Sequence, residues 1–386
     1  MRSVQNLRDY VAIPSVNPMG RGDVPPEIAG ERRYAEHLRE QLRRLGLDAD
    51  LVGSGSRASV VAEARPAAAR GGALWIASHL DTVPVDGMEI DPFDPRIEAG
   101  RLYGRGSCDT KGGMAALVAA LERVLARGSL RRSVVVVGEA DEECGSVGVA
   151  DVLAHLGPGR AEWVLATEPT ELRVAVRHKG IAFLRLEARG LACHSSDPTQ
   201  GRNAIAAIAR AALALEALGA ELARRVDDSP GSALPRLGPA TLSVGLVGGG
   251  HAPNIVPDRA WLVAERRLLP GETDAQLRAE VEEALARHGV ADVAVARCET
   301  MKPALGTDPA HASVRACRAA LAAAGRAAEP SAVAFDTDAG VFAAHGIPGV
   351  VMGPGSIAQA HTAREYVAVE QVEAMEDFFV RLLESA

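Results

Sequence analysis

Three continuous apolar segments in the first half of the chain are separated by patterns typical of helices. The apolar segments are 73–80, 133–137 and 164–167. Apolar or small residues recur at helical spacing over 31–45 and 113–125. Strands that are apolar along their whole length are covered on both faces, and alternating helices provide the cover. The pattern therefore predicts an α/β fold, in which a mostly parallel sheet carries helices on both faces.

A different pattern begins near Arg177. Apolar and polar residues alternate as in half-exposed strands, and two helical segments lie between such strands, one of them long and rich in alanine. This β-α-β-β-α-β order is typical of a ferredoxin-like α+β unit. The strands and helices are predicted at 183–188, 203–225, 241–247, 261–268 and 276–288.

The change of pattern predicts a two-domain organisation. We expect a catalytic, metal-binding domain formed by 1–177 and 299–386, because the buried-strand pattern returns after Lys302. It is interrupted by a smaller lid and dimerisation domain at 178–298. The segment 227–239, rich in Pro, Gly and Ser, is predicted to be a mobile loop.

Composition excludes several classes of protein. The chain has 386 residues, of which 47% are hydrophobic and 24% charged, so it is long enough for two folded domains. Its net charge of −8 argues against nucleic acid as a partner. Apolar runs such as 133–138 are far shorter than the roughly 20 residues of a membrane span. We therefore expect neither nucleic-acid nor membrane binding.

The cysteines indicate a reducing compartment. There are five, an odd number, and none forms a C-x-x-C pair, which argues against a disulfide framework and a thiolate zinc site. The first ten residues contain no apolar segment of the kind found in signal peptides. Together these features predict a cytoplasmic protein.

Acidic and histidine residues follow the predicted strands. In open α/β sheets, ligands bind outside the carboxyl ends of the strands, so these side chains are expected to share one edge. Imidazole and carboxylate ligands without thiolate suit Zn²⁺, Co²⁺ or Mn²⁺. The residues are His79, Asp81, Asp109, Glu142, Glu143, Glu168 and His361.

Local spacing separates the roles of these residues. His79 and Asp81 are two apart at a strand end and point to one side, so Asp81 is expected to accept the second ring N–H of His79. Glu142 and Glu143 are adjacent and point apart in an extended chain. One of them can bind metal while the other acts as general base. Asp109 is the candidate to bridge two metals.

Less specific interpretations compete with this one. A single His or Asp at a strand end is most often a cap or a solvated loop residue, but several strand ends in succession make coincidence improbable. No G-x-S-x-G motif and no phosphate-binding loop is present, which argues against a serine hydrolase and a nucleotide-dependent enzyme. A non-catalytic binding module on the same fold stays open, although it would be expected to lose ligands or base.

Several motifs identify a family. Ser-His-Leu-Asp-Thr-Val-Pro at 78–84, the segment 102–113 and Asp-Glu-Glu at 141–143 resemble the di-zinc metallopeptidase family of aminoacylases and carboxypeptidases. Further motifs resemble its acetylornithine deacetylase and succinyl-diaminopimelate desuccinylase branch, and the last of them is most similar to the acetylornithine deacetylases. These motifs lie at 167–170, 178–180, 194–205 and 353–361.

The resemblance implies the ligands of two divalent metal ions. Asp109 would bridge the two. His79 and Glu168 would complete one site, and Glu143 and His361 the other. The metal would be Zn²⁺, with Co²⁺ or Mn²⁺ as alternatives. The resemblance also implies a cis peptide bond after Asp109.

Further roles follow from the same resemblance. Glu142 would be the general base, with Asp81 beside His79 in the catalytic set. His194, in the inserted domain, would reach the active site of the partner in a homodimer. Asn254 and Arg267 match positions that hold a substrate carboxylate.

The resemblance implies a metal-dependent amidohydrolase that removes the acyl group from a small N-acyl amino acid, with N-acetylornithine as the first candidate. N-succinyl-diaminopimelate and a short peptide, cleaved by a carboxypeptidase or dipeptidase activity, are the alternatives. Glu265, the segment 248–253 and Phe-Asp-Thr-Asp at 335–338 depart from the deacetylase pattern. The acyl group and the side chain of the substrate therefore stay open.

Overall fold

The computed structural model describes residues 1–66, 71–225, 237–327 and 329–385. Within them the helices are α1 (Arg2–Val11), α2 (Arg32–Arg44), α3 (Gly112–Ala126), α4 (Val147–Leu156), α5 (Ala204–Leu222), α6 (Asp274–Arg287), α7 (Ala312–Ala323), α8 (Asp338–Ala344) and α9 (Val369–Glu384). The strands are β1 (Asp48–Ser54), β2 (Arg57–Ala64), β3 (Ala73–His79), β4 (Arg96–Glu98), β5 (Arg101–Tyr103), β6 (Val134–Glu139), β7 (Ala161–Ala166), β8 (Ala175–His178), β9 (Gly180–Arg189), β10 (Thr241–Gly249), β11 (Arg259–Leu268), β12 (Val293–Lys302), β13 (Leu305–Gly306), β14 (Ser331–Val333), β15 (Gly349–Val351) and β16 (Tyr366–Ala368). Of the predicted loop at 227–239, residues 227–236 lie outside the described residues.

The chain forms two compact units. The first comprises Met1–Val176, Thr307–Ala332 and Thr337–Ala386, and the second comprises Arg177–Gly306 and Val333–Asp336. The sequence-based boundary at 298 falls inside β12, whose pairing with β9 continues to Lys302.

The large sheet has the strand order β1-β2-β6-β3-β7-β15-β8-β13, and β14 pairs with β8. Its four central strands, β6, β3, β7 and β15, are parallel to one another. The flanking pairs are antiparallel, which leaves the parallel arrangement in the middle. This arrangement confirms the predicted α/β fold and directs the carboxyl ends of the central strands to one edge.

The central strands are buried on both faces. Every residue of β3 and β6 is buried, as their continuous apolar sequences predict. On one face, Trp75 and Ala77 pack with apolar residues of α4 and with Phe342 of α8. The rings of Trp75 and Phe342 meet edge to face, with centroids 5.9 Å apart. The sheet centre therefore forms a rigid base for the side chains that follow its strands.

The second unit has the ferredoxin-like order that the sequence predicts. Its sheet has the strand order β10-β11-β9-β12 and is antiparallel throughout. Burial alternates along β9 and β11, and the buried residues pack against α5 and α6. Asn203 caps α5 by accepting the N–H of Ala206, and a capping box between Thr273 and Gln276 begins α6.

None of the helices in the described part of the chain is long and apolar enough to cross a membrane.

Candidate metal centre

Five of the predicted ligands converge at one edge of the large sheet. His79 is the last residue of β3, Glu168 follows β7, and Glu143 lies in the turn after β6. Asp109 comes from the turn between β5 and α3, and His361 from a turn between β15 and β16. His79, Glu143 and Glu168 share this edge because they lie at or after the ends of parallel strands, whereas Asp109 and His361 reach it from turns outside those strand ends.

The first group consists of His79, Asp109 and Glu168. Nε2 of His79 lies 3.0 Å from Oδ1 of Asp109 and 4.0 Å from Oε2 of Glu168. All three residues are buried. The group therefore presents one imidazole nitrogen and two carboxylate oxygens to a common point.

The second group consists of Asp109, Glu143 and His361. Nε2 of His361 lies 3.1 Å from Oε1 of Glu143 and 3.3 Å from Oδ2 of Asp109. Asp109 therefore turns one carboxylate oxygen to each group. Among the described residues, these are the two groups of three or more potential ligands whose atoms lie within 4.8 Å of one another.

Both groups fit a divalent cation. Zinc–nitrogen and zinc–oxygen bonds of about 2.0–2.2 Å in a tetrahedral site place neighbouring ligand atoms roughly 3.4 Å apart. The separations of 3.0–3.3 Å between His79, Asp109 and His361 are close to that spacing. Imidazole and carboxylate donors are also the set that Zn²⁺, Co²⁺ and Mn²⁺ accept.

The electrostatics favour cation binding. Burial raises the pKa of Glu143 to about 7, although its contact with His361 opposes this. Burial likewise raises the pKa of Glu168 well above its usual range. The charged form of the His361 imidazole is favoured, because contacts with Asp109 and Glu143 raise its pKa to about 10. Several buried carboxylates that face one another are costly, and bound cations would remove most of that cost.

His79 and Asp109 stabilise each other's charged forms. Burial lowers the pKa of His79, but its hydrogen bonds to Asp109 and Asp81 outweigh burial and raise the pKa above the ordinary value. Burial raises the pKa of Asp109, but the neighbouring imidazoles of His361 and His79 lower it below its usual range. Asp109 therefore stays ionised, as a shared ligand must.

Asp81 contacts His79 mainly through its backbone. Nδ1 of His79 lies 3.0 Å from the carbonyl oxygen of Asp81 and 3.4 Å from its carboxylate Oδ1. The sequence-based expectation named the carboxylate, which makes the longer of the two contacts. Either way, the Nδ1 side of the ring faces Asp81, which leaves Nε2 directed towards Asp109.

The Asp81 carboxylate instead holds the turn that carries the two adjacent glutamates. Oδ1 accepts the backbone N–H of Glu142 and Oδ2 that of Glu143, both at 3.1 Å. The extended conformation expected for this pair is wrong, because both residues lie in a turn after β6. The Asp81 carboxylate therefore fixes the backbone of the turn that carries both glutamates.

Asn17 is a buried residue that sequence reasoning missed. Its side-chain amide donates to Oδ2 of Asp81 at 2.8 Å and to Oδ1 of Asp141 at 2.9 Å. Asn17 thus links Asp81, which holds the turn that carries Glu142 and Glu143, to Asp141, which precedes that turn. An isolated asparagine in a loop carries no spacing signal, so the sequence could not have identified it.

Two local features lie near Asp109 and Glu168. The Asp109–Thr110 peptide bond is cis, as the family resemblance implied. The first turn of α3 approaches the end of β7 closely, because Gly113 has no side chain. A Cβ atom at Gly113 would lie 2.4 Å from the Cβ of Thr167, which precedes Glu168.

Three of the predicted site residues lie in the second unit. His194 and Asn254 are neighbours there, since the N–H of Ser195 donates to the carbonyl of Asn254 at 3.0 Å and His194 forms a bridge with Ile255. Both residues are exposed. The loops that carry them are therefore joined by backbone hydrogen bonds.

The hydrogen bonds of His194 assign its tautomer. The backbone N–H of Ser196 donates to Nδ1 at 3.2 Å. Because a backbone N–H can only donate, Nδ1 accepts, and the proton of the neutral ring lies on Nε2. His194 therefore offers Nε2–H as a hydrogen-bond donor.

Arg267 lies among carboxylates. Its Nε donates to Glu265 at 2.7 Å and its Nη1 to Asp336 at 2.8 Å. Asp336 also forms an ion pair with Lys302 at 3.3 Å. The guanidinium is thus oriented by two acidic side chains.

Residues 75–385 match the family model described as peptidase family M20/M25/M40. The chain is 35% identical to an acetylornithine deacetylase of Myxococcus xanthus over 312 residues, which cover 80% of this chain and 79% of that protein. It is 32% identical to an acetylornithine deacetylase of Edwardsiella ictaluri, with 81% and 80% covered.

Solved structures share the fold. An M20 family metallo-carboxypeptidase of Sulfolobus solfataricus superposes with a TM-score of 0.75 at 21% identity, covering 100% of this chain and 99% of that one. An aminopeptidase of Bacillus cereus superposes with a TM-score of 0.76 at 23% identity, covering 99% and 97%.

Proposed function

Since this chain belongs to peptidase family M20/M25/M40 and is a metal-dependent hydrolase, we propose that it removes the acyl group from an N-acyl amino acid, N-acetylornithine first. The observation that carries the proposal is Asp109, whose two carboxylate oxygens each face a separate group of ligands. Acetylornithine deacetylases at 30–35% identity support the choice of substrate.

We assign five residues to the binding of two divalent cations. Asp109 would be shared, His79 and Glu168 would complete one site, and Glu143 and His361 the other. Zn²⁺ is the first choice, with Co²⁺ and Mn²⁺ as alternatives, because all three accept this donor set. Such a pair of cations, when bound, supplies activation of water and polarisation of a carbonyl oxygen.

Glu142 is assigned as the general base. It is buried, with 7% of its surface exposed, and its backbone is held by Asp81. Its charge contributes to the raised pKa of Glu168, the main cause of which is burial, so it lies within electrostatic range of the ligands. Glu142 takes a proton from water as the oxygen attacks the amide carbonyl. It then passes that proton to the nitrogen as the C–N bond breaks.

The second unit is assigned a lid and dimerisation role. His194 would donate Nε2–H to the oxyanion in the partner's site of a homodimer. Strand β10 supports such a dimer, because it is an edge strand of its sheet and exposes Leu246 and Val247. An unpaired edge with exposed apolar side chains is suited to pairing with a second copy of the chain.

Arg267 and Asn254 are assigned to the carboxylate of the substrate. A guanidinium binds a carboxylate through two parallel hydrogen bonds, so Arg267 can exchange Asp336 for the substrate. The carboxylate would thereby be fixed at a defined distance from the reacting amide.

A substrate panel tests the proposal. The metal-free protein is reloaded with Zn²⁺, Co²⁺ or Mn²⁺ and incubated with N-acetylornithine, N-succinyl-diaminopimelate and a dipeptide, and amine release is measured. We expect the highest kcat/KM for N-acetylornithine and loss of the activity in Glu142→Gln. A higher kcat/KM for either other substrate overturns the choice of substrate. No Glu142-dependent hydrolysis of any of them overturns the proposed reaction.

A further inference from the structure

Glu365 makes an unusually complete set of hydrogen bonds with the turn that carries Asp109. Its carboxylate is fully buried. Oε1 accepts the backbone N–H of Cys108 at 2.9 Å and that of Asp109 at 3.1 Å. Oε2 accepts the backbone N–H of Gly106 at 3.0 Å and pairs with Nη1 of Arg105 at 2.7 Å. Four donors from five consecutive residues thus converge on one side chain.

The backbone of Glu365 is tied to the same segment. Its carbonyl oxygen accepts the N–H of Gly104 at 3.1 Å. The following residue, Tyr366, begins β16 and pairs with Tyr103 at the end of β5. Glu365 and Tyr366 therefore hold the segment 103–109 through hydrogen bonds of the main chain and of the Glu365 side chain.

Glu365 also lies close in sequence to another proposed ligand. His361 precedes it by four residues and contacts Oδ2 of Asp109 at 3.3 Å. The segment 361–365 therefore supplies the proposed ligand His361 and also holds the backbone of Asp109, which His361 contacts. Among the described residues, the hydrogen bonds of the Glu365 carboxylate go to the segment 105–109 and not to the side chains of His79, Glu168 or Glu143.

We propose that Glu365 is a positioning residue that orients Asp109 so that its two carboxylate oxygens face separate metal ions. The proposal rests on the metal-binding roles given under the proposed function. Glu365 accepts the N–H of Asp109 and those of Cys108 and Gly106. The Asp109 backbone is held in this way while its side chain contacts His79 and His361. Residues that orient a ligand typically change metal affinity or activity 10–100-fold when replaced.

The chemistry requires a carboxylate at this position. Three backbone N–H groups and a guanidinium supply only donors, so the partner must accept on both of its terminal atoms. Glutamine has the same size but presents one NH₂ group, which would face donors. Glu365→Gln is therefore expected to rotate or release part of the turn without leaving a large cavity, whereas Glu365→Asp keeps both acceptor oxygens on a shorter side chain.

The test compares metal binding in wild-type protein, Glu365→Gln and Glu365→Asp. The proteins are stripped of metal and titrated with Zn²⁺ against a chelator, and separately with Co²⁺ while its visible absorption is recorded. We expect Glu365→Gln to bind Zn²⁺ about 10–100-fold more weakly at one or both positions and to show an altered Co²⁺ spectrum. Glu365→Asp should lie between the two, and kcat should fall at saturating metal more than KM rises.

Glu376→Gln is the matched control. Glu376 is a buried carboxylate of α9 that accepts the N–H of Ser3 at 3.2 Å and pairs with Arg123 at 2.8 Å, and neither partner is a proposed ligand. It should lower the thermal midpoint and leave Zn²⁺ affinity and the Co²⁺ spectrum unchanged. If Glu365→Gln behaves like this control, the proposal is overturned and the role is structural. The same conclusion holds if neither Glu365 variant folds.

Failure of the Glu365 proposal can be distinguished from failure of the proposed function. Wild-type protein that binds two metal ions but cleaves none of the N-acyl amino acids would overturn the proposed reaction and leave the Glu365 proposal intact. Wild-type protein that binds fewer than two metal ions would overturn the positioning role as well, since there would be no pair of ions for Asp109 to join.

Discussion

The Asp81 carboxylate accepts the backbone N–H of Glu142 through Oδ1 at 3.1 Å. Through Oδ2 it accepts the N–H of Glu143 at the same distance. Asp81, two residues after β3, thus fixes the turn after β6, on which the proposed base and a proposed ligand are adjacent. Asn17 adds an amide donor to the same Oδ2, so the carboxylate is constrained from a third direction.

Asp81→Asn is expected to lower kcat by about 10–100-fold, with a smaller change in KM. The amide replaces one acceptor oxygen with a donor, which opposes the N–H of Glu142 or Glu143. Steady-state kinetics on the preferred substrate measure the effect, and the exposed Asp94→Asn is the control. Unchanged kcat in Asp81→Asn would show that the turn holds its shape without this carboxylate.

Glu142→Gln should lower kcat at least about 100-fold while both metal ions remain bound, because a general base is not a ligand. Metal content by mass spectrometry and kcat are measured on the same preparation. Loss of metal in this variant would mean that the roles of Glu142 and Glu143 are exchanged.

His361→Ala should lose mainly one of the two metal ions. In the described part of the chain, the ion-pair contacts of His361 are with Glu143 and Asp109, and the contact of His79 with Asp109 is separate. Metal content after dialysis is the measurement, with His345→Ala, an exposed histidine of the same unit, as the control. Loss of both ions together would indicate one cooperative site instead of two.

His194 is predicted to act in the partner's active site. Glu142→Ala and His194→Ala, each inactive alone, are mixed, unfolded and refolded together. About half of the dimers would be mixed, and each would contain one intact site, so roughly a quarter of wild-type activity should return. Activity no higher than that of the separate variants, with mixed dimers confirmed by mass, would place His194 in its own chain's site.

Acidification should destabilise the protein through His178. Burial lowers the pKa of His178 to about 4, and its Nδ1 donates to the carbonyl of Lys179 at 2.8 Å. Between pH 6.5 and 4 the unfolded chain binds a proton that the folded chain does not. The stability due to the neutral ring is therefore complete above pH 6.5 and is lost as the pH falls, by roughly 3 kcal/mol.

Urea unfolding of the metal-free protein at several pH values measures this effect. His178→Asn, which retains a side-chain donor, should show a shallower pH dependence than the wild type from pH 6.5 to 4. His345→Asn, at an exposed position, should keep the wild-type dependence. Parallel curves for the wild type and His178→Asn would show that this histidine is not the titrating group.

The sequence by itself determined the two folding patterns and the position of the proposed ligands after the strands. Apolar runs predict β3 and β6 because burial on both faces leaves no place for polar side chains, and alternation predicts β9 because one of its faces is exposed. Since parallel strands share a carboxyl edge, His79 and Glu168 could be predicted to meet. Family motifs added the division of the proposed ligands between two metal ions and the cis bond at Asp109.

The tertiary structure alone decided how these ligands are held. Asn17 reaches Asp141 across 124 residues, and Glu365 reaches Asp109 across 256. The turn after β6, which carries Glu142 and Glu143, takes its shape from Asp81, which is 61 residues from Glu142. Periodicity reports only which face of a local element is buried. A hydrogen bond between distant loops depends on where the folded chain brings them, and no local pattern of residues encodes that path.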